Sequence, residues 1–80
     1  MQPMTATLID RLVTQAMVLA THAFDDDAAM AELRGLAAGD EQALERAIRT
    51  CLAQPASLAI RHRAIELLAR VRYENPPALA

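Results

Sequence analysis

From Thr5 to Phe24 the apolar residues Leu8, Ile9, Leu12, Val13, Ala16, Met17, Leu19, Ala20, Ala23 and Phe24 recur at three- and four-residue intervals. At about 100° per residue they fill half of a helical wheel, which predicts an amphipathic helix over residues 5–24. The opposite half carries Thr7, Asp10, Arg11, Thr14, Gln15, Val18, Thr21 and His22. It is polar but weakly charged. Thr7, Thr14 and Thr21 repeat at seven-residue spacing with Val18 beside them, a face suited to partial burial against another chain as well as to water.

A second helix is predicted over residues 27–38, with Ala29, Met30, Leu33, Leu36 and Ala37 on one side. Gly39 supplies a left-handed residue to end it. Asp40 is placed to cap a third helix over 41–53, whose stripe of Ala43, Leu44, Ala47, Ile48, Cys51 and Leu52 is the cleanest in the chain. Pro55 interrupts it and suits the first turn of a fourth helix over 56–73, with Ser57 as the cap of a later start. Asn75-Pro76-Pro77 stops that helix, and residues 75–80 read as a frayed tail. These elements predict one small all-α, four-helix domain with a C-terminal helical hairpin.

In the fourth helix Ile60, Ala64, Leu67, Leu68 and Val71 form the expected stripe, and Leu58 and Ile65 widen it to an arc of about 180°. Arg61 and Arg72 fall inside that arc, where a guanidinium must snorkel, pair with an acid or bind a partner. Arg63, Glu66 and Arg70 fall on the other face, spaced like a solvated ladder of ion pairs.

Composition sharpens this picture. Hydrophobic residues make up 54% of the 80-residue chain, yet Phe24 and Tyr73 are its only aromatics and 18 residues are alanine. Such a core is aliphatic and thin, because an alanine buries far less than a leucine, worth about 1.5–3 kcal/mol when fully buried. Help from a partner is therefore expected. The lone Cys51 rules out an intrachain disulfide, no basic leader precedes an apolar stretch, and no run reaches the ~18 apolar residues of a membrane span. A cytoplasmic protein with no membrane association is expected. Eight arginines without a lysine point to a GC-rich bacterial coding sequence.

Charge is divided along the chain. Residues 1–45 carry eight acids against Arg11 and Arg34, a net of −6, whereas 46–73 carry six arginines against Glu66, a net of +5. The halves complement each other, either within one molecule or in an antiparallel homodimer.

Candidate chemistry is sparse. His22 with Asp25, Asp26 and Asp27 has the composition of a cation site, but the apolar phase breaks at this point and aspartates are preferred helix caps. Helix punctuation accounts for all four residues, so no metal site and no cofactor are expected. Cys51 lies within an apolar stripe and His62 on a polar face, which argues against a nucleophilic pair. The remaining expectation is a non-enzymatic protein-interaction module, an adaptor, regulator or chaperone-like subunit that self-associates or binds a larger protein. Its contact set would be Leu58, Arg61, Ile65 and Arg72, with Thr7, Thr14, Val18 and Thr21 as a second face. The alternative is a nucleic-acid-binding regulator presenting Ser57, Arg61, His62 and Arg63 from the start of a recognition helix. Against it stand an acidic balance, pI ≈ 5.5, and the shortage of aromatics for stacking.

Overall fold

Four helices build the computed structural model, which describes residues 4–73: α1 (Met4–His22), α2 (Asp26–Ala37), α3 (Glu41–Leu52) and α4 (Leu58–Tyr73). The tail read as frayed, residues 75–80, lies outside the described residues. Helices α3 and α4 form the hairpin, α1 packs along both of them, and α2 lies on α4 and α1 while barely meeting α3. This is the small all-α domain that the periodicity predicts.

Local chemistry explains the boundaries. Asp25 takes an extended conformation (φ −112, ψ 110) and its carboxylate accepts from the amides of Asp27 at 2.9 Å and Ala28 at 3.3 Å. The Asp25–Asp27 run is thus a joint, as its break in phase implies. Asp40 caps α3 in the same way, accepting from the Ala43 amide at 3.0 Å. α4 starts at Leu58 because Ser57 is its cap, with Oγ accepting from the Ile60 amide at 3.2 Å, so Pro55 stays in the preceding turn. The end of α2 differs from expectation. The helix stops at Ala37, and Ala38 itself adopts the left-handed conformation (φ 50) ahead of Gly39 (φ 83).

The core draws on all four helices, with Leu12, Leu33, Leu67 and Leu68 among its largest fully buried side chains. Among the described residues, seven of the sixteen that are buried are alanines. Ala16, Ala43, Ala47 and Ala64 are completely buried, small enough to let neighbouring helices approach closely. Two stripe residues depart from the expected burial: Phe24 is 103% exposed and Leu52 56%, while Leu58, expected as a partner contact, is also exposed at 59%. Each lies at or beyond a helix end, where the wheel still assigns it an inward direction but the facing helix has run out.

Candidate functional site

The α4 residues expected to meet a partner turn mostly inward. Ile65 is half-buried against the core. Arg61 donates from Nη1 to the Leu52 carbonyl at 2.8 Å, satisfying an otherwise orphaned acceptor at the C-terminal end of α3; its Nε is buried without a hydrogen-bond partner. Arg72 lies 3.6 Å from a Glu45 carboxylate oxygen, with its guanidinium 5.1 Å from the Tyr73 ring centroid. Both arginines of the widened arc therefore pair with α3, and Leu58 alone of the four stands exposed.

The set considered for nucleic acid is also drawn into the fold. Ser57 caps α4, and Arg61 holds α3. Arg63 donates through Nη2 to the Ala23 carbonyl and to Asp26 Oδ1, both at 2.9 Å. His62 is exposed. Here the expectation of a solvated Arg63–Glu66–Arg70 ladder is corrected, because Arg70 Nη1 also lies 3.6 Å from Asp26 Oδ2. Two guanidiniums seven residues apart, on one face two turns along α4, converge on the first residue of α2. That i, i+7 spacing opposite an acidic helix start was the available sequence signal, but it names no partner by itself.

The outer face of α1 is open. Thr7, Thr14 and Thr21 are exposed, Val18 is 46% exposed, and the Thr21 hydroxyl donates to the Met17 carbonyl at 2.9 Å. Val18 and His22 are neighbours on this face at about 40° on the wheel. His22 in turn borders an open, largely apolar groove between the end of α1 and the start of α2, lined by Leu19, Ala23, Phe24, Ala28 and Ala31. Ala29, Asp25 and Glu32 complete the lining, and Gln15 Nε2 donates across the helices to Glu32 Oε2 at 3.0 Å. On its other side Phe24 borders a polar cleft lined by Asp25, Asp26, Asp27, Arg63 and Arg70. Sequence reasoning missed this site. It placed Phe24 on the buried stripe, whereas the extended conformation that Asp25 needs as a cap ends α1 at His22 and leaves Phe24 in the turn.

Cys51 is fully buried, and burial pushes its thiol from 9.0 up to about 11, away from the thiolate that nucleophilic chemistry requires. Among the described residues no cluster of three or more His, Cys, Asp or Glu is placed to hold a metal ion, and no helix is long and apolar enough to cross a membrane. Compared with protein-family models, with curated proteins and with solved structures, the chain matches none. Function therefore has to be read from the residues themselves.

Proposed function

We propose that the protein is a non-enzymatic helical interaction module, an adaptor, regulator or chaperone-like subunit that binds another protein through the α1–α2 end. One observation carries the reading: the single phenylalanine of a chain short of aromatic residues is held outside the core, at the rim of an apolar groove. Burying a phenylalanine contributes roughly 1.5–3 kcal/mol, as much as a buried leucine and far more than the alanines that fill much of this core. Leaving Phe24 in water forgoes that stability, and a partner that covers the ring recovers it. The contiguous, weakly charged face of Val18, Thr14 and Thr21 extends the area available to that partner. A reducing bacterial cytoplasm belongs to the same proposal, since it suits a lone buried thiol and a lysine-free, arginine-bearing composition.

The test is photo-crosslinking in cells that naturally contain the protein, with p-benzoylphenylalanine at position 24 and, as control, at the exposed Ala59 of α4. A discrete adduct from position 24 and none from 59 is the expected result. No adduct, or the same adducts from both positions, would overturn the reading. So would duplex binding at low salt that Arg61→Ala with Arg63→Ala abolishes, which is the behaviour of a nucleic-acid regulator.

A further inference from the structure

Building on the proposed function, we infer that the α1–α2 groove takes a cationic amphipathic helix of another protein. Its apolar anchor sits against Phe24 and Leu19, and its lysines or arginines face Asp25, Asp27 and Glu32. Charge complementarity selects this occupant. The groove and the adjoining cleft carry Asp25, Asp26, Asp27 and Glu32 against Arg63 and Arg70, a formal net of −2 with His22 neutral. Both arginines are held at Asp26. Asp25, which caps α2, and Asp27, in its first turn, are partly offset by the positive end of that helix, whereas Glu32 is bonded only to the neutral amide of Gln15 among its described hydrogen bonds. The formal charge around Phe24 is therefore net negative, with Glu32 its least offset member.

A second copy docked by the same surface would bring two such fields together, which is repulsive in the self-complementary contact that a two-fold dimer requires. A helical occupant follows from the groove walls. These are two helices, and the described residues contain no strand whose free edge could extend a ladder to a bound peptide. On the α2 side the wall is low, formed by Ala28 and Ala31, so a partner helix can come close to the backbone.

Fluorescence anisotropy with the full chain and three labelled synthetic peptides of about 16 residues tests this. The first peptide carries leucines at i, i+3, i+4 and i+7 flanked by lysines, the second has each lysine replaced by glutamate, and the third has each leucine replaced by serine. The cationic amphipath is expected to bind at least about tenfold more tightly than either of the others, and to weaken as salt shortens the screening length. Phe24→Ser should lower its affinity about fivefold or more, and Asp27→Asn with Glu32→Gln a similar amount, all with unchanged far-ultraviolet circular dichroism. Equal binding of the first two peptides, binding indifferent to Phe24→Ser, or no binding of any peptide overturns the inference. So does a dimer in light scattering that Phe24→Ser dissociates, which would make a second copy the occupant. Charge indifference alongside an intact position-24 adduct defeats this inference alone, whereas loss of the adduct defeats the proposed function with it.

Discussion

Arg63→Ala removes two hydrogen bonds that tie α4 to the end of α1 and the start of α2, and its effect can be worked out from their surroundings. The bond to the Ala23 carbonyl is charge-assisted, which sets about 1.5–3 kcal/mol for a fully buried case, but Arg63 is more than a third exposed and competition from water reduces the net to about 1 kcal/mol. The ion pair with Asp26 has both side chains more than a third exposed, which limits it to about 0.5–1 kcal/mol. Together they amount to about 1.5–2 kcal/mol, and at 4–8 °C per kcal/mol for a domain of this size the melting temperature should fall by about 6–16 °C. Arg63→Lys should recover part of the loss, because a single nitrogen, Nη2, serves both acceptors and an ammonium with three donors can do the same as far as its shorter stem reaches. Urea unfolding followed by circular dichroism provides the free energies, and a double-mutant cycle with Asp26→Ala isolates the ion pair. Raising the salt should erode the Asp26 coupling and leave the carbonyl contribution nearly intact. A destabilisation within about 0.5 kcal/mol, the range of ordinary surface substitutions, would refute the reasoning and return Arg63 to a solvated ladder.

Cys51 and the α2 terminus yield two further expectations. With the Cys51 thiol raised from 9.0 to about 11, the unfolded chain loses this proton first as pH rises. Stability should be unaffected by Cys51 below pH 9 and then fall by about 1.4 kcal/mol per pH unit up to about 11. Cys51→Ala should remove that part of the slope, and an unchanged alkaline profile would contradict the burial argument. At the α2 terminus, Ala38 occupies a left-handed conformation, so Ala38→Gly should raise stability by about 0.5–1 kcal/mol and Gly39→Ala should lower it by a similar amount. Thermal melts that moved both variants in the same direction would refute the assigned backbone geometry.

The sequence by itself determined the helices, their caps and the joint at Asp25–Asp27. Periodicity and capping act between residues at most four apart, so Asp40 with Ala43 and Ser57 with Ile60 are local facts wherever the helices go. It also determined that buried stripes must be filled by leucine and alanine. Only tertiary structure decided where the long side chains end. Arg63 meets Ala23 across a sequence separation of 40 and Asp26 across 37. Arg61 and Arg72 resolve the conflict of lying in an apolar arc by reaching α3. A helical wheel reports the direction of a side chain but not whether another helix extends far enough to cover it. For that reason Phe24, Leu52 and Leu58 read as core residues or contacts in the chain and emerge exposed at its turns. The groove beside Phe24 arises in the same way, from the place where α1 stops and α2 begins.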